Sequence, residues 1–347
     1  MAGTNRIQLG SAVVTRVVEW QFEVRSALFD QTPASGWQDN ADLLVPTFFN
    51  PDTDRWRVAI QSWVIEVDGL TVVVDTGAGN GRQRPHMPPL DHLDTGFLDD
   101  VRAAGFDYND VDVVINTHIH SDHVGWNTKL ENGAWVPTFP NARYLMPAPD
   151  YRFFHPDGPA AKSVPRTEHE QKRLDGTRFV FEDSVIPIEA AGQIVQWSQD
   201  YRVSDSLRLR AAEGHTPGSS VLWLDAGQQA VFVGDLTHSP IQLRRPADAS
   251  AFDLDPIAAA VTRKRVLTEA ARAGAVVIPA HYPGHGAATI RANDDRFDID
   301  KWLTTRSALR PTVYRAEQER RRQTGRAERR PKAKISENSY STTKLNG

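Results

Sequence analysis

The stretch N-T-H-I-H-S-D-H-V-G-W-N, residues 116–127, directly follows the apolar run V-D-V-V-I. An apolar run of this kind predicts a short buried strand. His118 and His120 are two positions apart, so in extended backbone both side chains point to one side. Asp122 and His123 then follow in the next turn. Imidazole and carboxylate groups are ligands for zinc and its first-row neighbours, so the cluster predicts a metal site.

Further ligand-type residues end three later segments. His215 follows a predicted strand in A-A-E-G-H-T-P-G, Asp235 ends the apolar run A-V-F-V-G-D, and His281 ends V-V-I-P-A-H. A lone histidine at a strand end is most often structural, but a set that recurs at several strand ends is typical of a metal cage. A buried carboxylate without a partner is costly, which favours a ligand role for Asp235.

The composition excludes several classes of chemistry. The net charge is −4, and residues 315–334 carry nine Arg or Lys against three Glu, so without this segment the charge is close to −10. Such a body lacks the basic footprint of nucleic-acid binding. There is no cysteine, which excludes disulfides, thiolate ligands and a cysteine nucleophile. No persuasive Ser-His-Asp triad is present either.

The ends of the chain suggest its organisation. No charged leader with an apolar segment begins it, and no apolar run is long enough to span a membrane, so we expect a cytoplasmic protein without a membrane partner. We expect residues 1–311 to form one domain and the basic segment 312–347 to be disordered. The apolar loop P-T-F-F-N leaves a homodimer open.

The pattern of elements repeats in two halves. Strands are predicted at 13–24, on both sides of the Asp68-Gly69 turn, and after residue 205, and helices at 93–105 and 256–273. Residues 142–147 and 178–181 are predicted as two further short strands. Two α/β halves of this kind predict two sheets packed face to face with helices outside, a four-layer arrangement.

The order H-I-H-S-D-H, G-H-T-P-G, G-D and a late histidine resembles the metallo-β-lactamase superfamily, from about Gln61 to His281. The resemblance implies an α/β fold, the four-layer αββα sandwich, with a dinuclear site at one edge of the two sheets. It assigns the first metal to His118, His120 and His215, the second to Asp122, His123 and His281, and the bridging position to Asp235. Asp75, in V-D-T-G, corresponds to a buried aspartate that orients these ligands.

Departures from the family pattern narrow the function that the resemblance implies. Many β-lactamases place a cysteine in the second metal site, and this chain has none. His238 stands three residues after Asp235, where the best-known N-acyl homoserine lactonases have tyrosine; histidine there resembles methyl parathion hydrolase and some other lactonases. The implied enzyme is a hydrolase that uses a hydroxide bridging two divalent metals, zinc first and manganese, iron or cobalt as alternatives.

A small-molecule ester is the implied substrate, and a lactone of the N-acyl homoserine type is the leading candidate. An organophosphate triesterase or aryl esterase is the close alternative, and β-lactam hydrolysis or nucleic-acid processing are more distant ones. Asp122 is expected to orient the hydroxide as well as to bind metal. His238 is expected either to stabilise the oxyanion or protonate the leaving group, or to be structural.

Four aromatic or polar residues are predicted to line the substrate pocket: Trp126, Asn127, Phe48 and Phe49. Trp126 and Asn127 come just after the ligands, and the two phenylalanines lie in a loop that could cover an apolar group. Packing under the loop is an equal alternative for Trp126, and paired aromatics are more often part of a core.

Overall fold

Two large β-sheets, one two-stranded sheet and eight α-helices make up the computed structural model, which describes residues 5–303. The strands are β1 Arg6–Leu9, β2 Ala12–Arg25, β3 Phe49–Asn50, β4 Arg55–Val67, β5 Leu70–Val74, β6 Val113–Ile115, β7 Thr128–Glu131, β8 Ala134–Pro137, β9 Arg143–Pro147, β10 Ile194–Trp197, β11 Asp200–Arg202, β12 Leu207–Ala211, β13 Ser220–Asp225, β14 Gln229–Gly234, β15 Val276–Pro279, β16 Ala287–Asn293 and β17 Arg296–Leu303. The helices are α1 Ala34–Gln38, α2 Ala41–Leu44, α3 Phe97–Ala103, α4 Ala148–Phe154, α5 Glu168–Ser184, α6 Ile186–Ala190, α7 Ile241–Arg244 and α8 Pro256–Ala273. The segment 312–347, predicted to be a basic tail, lies outside the described residues.

The strand order brings several strand ends to one edge. The first sheet has the order β1-β2-β4-β5-β6-β9-β10, with β3 beside β4, and the second runs from β11 to β17 in chain order. β7 and β8 form a separate hairpin. Strands β5, β6, β9 and β10 are parallel neighbours, and so are β14 and β15. The carboxyl ends of parallel strands meet at one edge, which is the usual place for a site in such sheets.

Three apolar clusters define the layers. Between the sheets, Ile65 and Ile115 of the first pack in one buried cluster with Leu222 and Phe232 of the second. The outer face of the first sheet carries Phe97 of α3 and Phe181 of α5, and that of the second carries Val266 and Leu267 of α8. The predicted four-layer αββα sandwich is therefore confirmed.

Local signals account for the elements that the sequence predicted. Asp68 and Gly69 both have positive φ, 54° and 74°, which joins β4 to β5 in the tight turn that Asp-Gly favours. Helix α8 begins where the Asp255 side chain accepts a hydrogen bond from the Ala258 amide, and it ends at Gly274 with φ 62°. None of the helices in this part of the chain combines the length and the apolarity needed to cross a membrane.

One prediction of secondary structure was wrong, and one hairpin was not predicted. Residues 178–181 lie inside helix α5, whose start is stabilised by a capping box between Thr167 and Glu170. The aromatic and β-branched residues of R-F-V-F are typical of a strand. In the structure they belong to a helix, and Val180 and Phe181 are buried where that helix packs on the first sheet. The hairpin of β16 and β17 was not predicted, because the last predicted strand of the second sheet ended at His281.

We predict that Leu222→Ala in the core between the sheets lowers the free energy of unfolding by about 2–5 kcal/mol, since the side chain is fully buried and its removal leaves a cavity. Urea denaturation followed by circular dichroism measures the change. Val261→Ala on the exposed face of α8 is the control and is expected to change stability by less than about 0.5 kcal/mol. Equal losses in the two variants would contradict the assignment of this core.

Candidate metal centre

The predicted ligands come together at one edge of the two sheets. Asp75 directly follows β5, and residues 116–123 follow β6. Asp235 follows β14, His281 lies two residues after β15, and His215 lies in the connection between β12 and β13. The strand ends therefore supply every predicted ligand from segments that are far apart in the chain.

The ligand-type side chains form two groups, and within each group the ligand atoms all lie within 4.8 Å of one another. The first group is His118, His120, His215 and Asp235, and the second is Asp122, His123 and His281. Most of these residues are buried. The structure thus brings together all seven residues that the sequence predicted as ligands, and Asp235, which was predicted to bridge, falls in the first group.

The Asp235 carboxylate lies between the two groups. Its Oδ2 atom is 3.2 Å from His215 Nε2 and 3.6 Å from His118 Nε2. Its Oδ1 atom is 2.9 Å from His281 Nε2 and 3.2 Å from His123 Nε2. One oxygen therefore faces each group, which is the arrangement needed for a carboxylate that bridges two ions.

The chemistry of the donor atoms fits divalent cations. His118 Nε2 is buried and has no hydrogen-bond partner among residues 5–303. His120 Nδ1 lies 3.0 Å from His215 Nε2, and His123 Nε2 lies 3.3 Å from His281 Nε2. In each of these two pairs, a hydrogen bond uses the lone pair of only one nitrogen, because the other nitrogen must carry the proton. A cation between the two nitrogens would bind both lone pairs. Nitrogen and carboxylate donors of this kind suit zinc, manganese, iron and cobalt.

The outward-facing nitrogens of two ligands are held by carboxylates. His123 Nδ1 is 2.9 Å from Asp75 Oδ2, and His215 Nδ1 is 2.9 Å from Asp253 Oδ1. Asp75 also accepts hydrogen bonds from the amide and the hydroxyl of Thr117, at 2.8 and 2.9 Å. Such contacts fix the tautomer of each imidazole so that its Nε2 lone pair points into the site.

Asp253 is a functional residue that the sequence analysis missed. Burial would raise the pKa of its carboxyl group, yet the hydrogen bond from His215 brings that pKa down to about 2. Burial would likewise lower the pKa of His215, but its hydrogen bonds to Asp235 and Asp253 raise it to about 9. Arg263 of α8 holds the other Asp253 oxygen at 3.3 Å. No local motif marks Asp253, because its partner lies 38 residues away in the chain.

His238 lies beside Asp235 and faces the pocket. Its Nε2 atom is 3.3 Å from Asp235 Oδ2, and its ring is nearly parallel to that of His281, with centroids 5.8 Å apart. Burial lowers the pKa of His238, so the imidazole is neutral at physiological pH. A neutral imidazole can donate a hydrogen bond to a substrate oxygen from one nitrogen and accept one at the other.

A cavity of about 350 Å³ opens onto these groups. Asp122, Asp235, His120, His238 and His281 line one side of it. The rest of the lining forms a mainly apolar wall that includes Phe22, Val24, Trp56, Val58, Phe154 and Phe252. The first four belong to β2 and β4, two strands of 14 and 13 residues in which the pocket side chains alternate. That alternation was the available signal for this wall.

Trp126 and Asn127 do not line this cavity. The Trp126 indole is buried, stacks on Phe97 and donates a hydrogen bond to Glu19 at 2.7 Å. Asn127 is fully buried and bonded to the Asn116 side chain at 3.0 Å. Both side chains hold the ligand loop from beneath, which was the packing alternative for Trp126.

Phe48 and Phe49 also lie away from the cavity. Phe48 stacks on Trp302 with ring centroids 5.4 Å apart, and Phe49 stacks on Trp37 at 4.8 Å. Both rings are buried in an apolar cluster under the loop that carries them. The loop was expected to cover the substrate, but its two aromatic rings pack on Trp302 and Trp37 instead.

The sequence profile of the Metallo-beta-lactamase superfamily matches residues 55–281, which contain all seven ligands. The chain belongs to this superfamily. Its curated relatives include N-acyl homoserine lactonase AttM of Rhizobium johnstonii (strain DSM 114642 / LMG 32736 / 3841), 33% identical over 104 residues, or 28% of this chain and 36% of that protein. AttM of Agrobacterium fabrum (strain C58 / ATCC 33970) is 32% identical over 90 residues, or 26% of this chain and 30% of that protein. The matched segment thus spans only about a third of these relatives.

Solved structures share the superfamily fold over most of the chain. The crystal structure of hydrolase AbOPH of the beta lactamase superfamily aligns with a TM-score of 0.73 and 22% identity, covering 89% of this chain and 99% of that one. AidC, a dizinc quorum-quenching lactonase, aligns with a TM-score of 0.68 and 20% identity over the same shares. At these identities the likeness concerns the fold.

We predict that Asp253→Asn weakens metal binding about 10- to 100-fold, because a neutral amide orients the His215 imidazole less strongly than a carboxylate. Competition with a coloured chelator measures the affinity. Asp205→Asn changes an exposed carboxylate far from the ligands and is the control, with unchanged affinity expected. If both variants bound metal like the parent protein, Asp253 would have no role in the site.

Proposed function

We propose that this chain is a metal-dependent hydrolase that opens lactone rings, with N-acyl homoserine lactones as the leading substrate class. The observation that carries the proposal is the Asp235 carboxylate, which faces both ligand groups and borders an apolar cavity of about 350 Å³. That volume is near the lower end of the range of small-molecule sites. The partial similarity to proteins named N-acyl homoserine lactonase supports the same class.

In this proposal the two ligand groups hold two divalent ions, zinc being the first choice. His118, His120 and His215 bind one, Asp122, His123 and His281 bind the other, and Asp235 lies between them. When bound, the ions bring the pKa of water towards neutrality and polarise the substrate carbonyl. Asp75 and Asp253 keep the imidazoles in the tautomer that binds metal.

Asp122 and His238 are the residues that we assign to proton handling. Asp122 lines the cavity and its side chain is 17% exposed, so it can accept a hydrogen bond from the attacking water and orient it. Attack on the lactone carbonyl breaks the bond to the ring oxygen, and that oxygen then needs a proton. The neutral His238 imidazole borders the same cavity and can stabilise the developing charge with its N–H, or can take the proton of the attacking water and pass it to the ring oxygen.

The apolar wall favours an acyl chain over a nucleic acid. Phe22, Trp56 and Phe252 offer rings to a hydrocarbon, whereas a nucleic acid needs a basic surface around the site. Aryl phosphotriesters also fit an aromatic wall, so they are the second candidate substrate class. The two classes differ in the reacting centre and can be separated by assay.

We predict that metal-loaded protein opens N-hexanoyl homoserine lactone faster than it hydrolyses paraoxon, and that it leaves the β-lactam nitrocefin unchanged. Ring opening releases a carboxylic acid that a pH indicator measures, and the other two reactions are followed by absorbance. Faster paraoxon hydrolysis would favour the phosphotriesterase instead. Turnover of nitrocefin alone would reject both proposals.

We predict that His118→Ala loses at least one metal ion per chain together with turnover. The substitution removes one ligand from the group that also contains Asp235. His238→Asn is expected to keep its metal and lose about 10²-fold in kcat, the usual size of an acid–base contribution. Metal analysis by mass spectrometry accompanies the kinetics. Full activity of His238→Asn would leave that histidine with a structural role only.

A further inference from the structure

One arginine lines the cavity that borders the metal centre. Apart from histidines and aspartates, Arg173 of α5 is the only ionisable residue of the lining among residues 5–303. Its side chain is exposed, and its guanidinium makes no hydrogen bond or ion pair with any described residue. A guanidinium carries five donors, so this group is available to an acceptor in the cavity.

Arg173 belongs to one face of helix α5. Arg173, Thr177 and Val180 are spaced four and three residues apart, and all three line the cavity. Val180 is buried, Thr177 is half-buried, and Arg173 is exposed, so the face changes from apolar to charged along about 10 Å of helix. The Thr177 hydroxyl already donates to the backbone oxygen of Arg173, at 3.0 Å. Arg173 is therefore the donor that this face offers to a ligand.

The position of α5 is set by contacts at its far end. Asp183 accepts hydrogen bonds from the buried guanidinium groups of Arg82 and Arg84, each at 2.8 Å. Earlier in the helix, a Cβ added at Gly176 would lie 1.8 Å from His86 Nδ1, so the backbone packs directly against that ring. His86 itself lines the cavity. These contacts fix the position of helix α5 and therefore of the backbone that carries Arg173.

We propose that Arg173 binds the carbonyl oxygen of an acyl amide, the acceptor that joins the lactone ring of the substrate to its hydrocarbon chain. The inference rests on the proposed lactonase function and deepens it. In this proposal the lactone ring binds at the metal centre, and the hydrocarbon chain packs against the apolar wall of Phe22, Trp56 and Phe252. The amide carbonyl oxygen between them accepts a hydrogen bond from the Arg173 guanidinium. Arg173 would then make the protein selective for lactones that carry an acyl amide over equally apolar lactones that lack the amide.

Two lactones test the inference in the metal-loaded protein. N-hexanoyl homoserine lactone carries the amide, and δ-decalactone does not. For Arg173→Met, which keeps an apolar stem without donors, KM for the amide lactone is expected to rise about tenfold, as for loss of a hydrogen bond to a charged group. Its kcat, and both constants for δ-decalactone, are expected to stay unchanged. Arg173→Lys is expected to recover part of the lost affinity.

Arg178→Met is the matched control, because Arg178 lies on the same helix, pairs with Glu182 and does not line the cavity. It is expected to leave both substrates unaffected, and metal content should be equal in all variants. An equal rise of KM for both lactones, or an unchanged KM for the amide lactone, would overturn the role of Arg173 alone. If the parent protein opened neither lactone, the proposed function itself would fail, and this inference with it.

Discussion

The Asp235 carboxylate is the group on which the arrangement of this protein depends. Five imidazoles approach it to within 3.6 Å, those of His118, His123, His215, His238 and His281. A buried carboxylate is costly unless it is paired, and buried neutral imidazoles are costly unless a partner binds their lone pairs. The two requirements are met together when cations lie between them. The sandwich supplies the edge at which both sheets can bring these groups to one place.

Other buried carboxylates keep the ligand loops in position. Asp150, at the start of α4, accepts hydrogen bonds from the Ile119 amide and the Thr216 hydroxyl, both at 2.9 Å. It thereby joins the loop of His118 and His120 to the loop of His215. Asp75 and Asp253 do the same for single imidazoles. Each loop is thus tied through a charge-assisted hydrogen bond, which is stronger and more directional than a neutral one.

The candidate metal centre and the apolar wall of the cavity come from different parts of the fold. The centre uses residues just beyond the strand ends of the sandwich, where the backbone is held by its neighbours in the sheets. The wall uses the overhanging ends of β2 and β4, helices α4 and α5, and the segment around Phe252. Changes in those segments can alter the shape of the cavity without moving a ligand. This division explains why the reaction type follows from the ligands while the substrate class depends on the wall.

From the amino-acid sequence alone, the ligand-type residues, the paired halves and helix α8 could be predicted. Ligand-type residues at strand ends and the Asp68-Gly69 turn are local signals, and local signals need no knowledge of the partner. Even so, the apolar run at 178–181 was assigned to a strand, since short runs read alike in helix and sheet. Only the tertiary structure showed that Asp253 holds His215, that Trp126 packs under the ligand loop, and that Arg173 borders the cavity. These roles are set by contacts between distant segments, and such contacts exist only after the two sheets have packed.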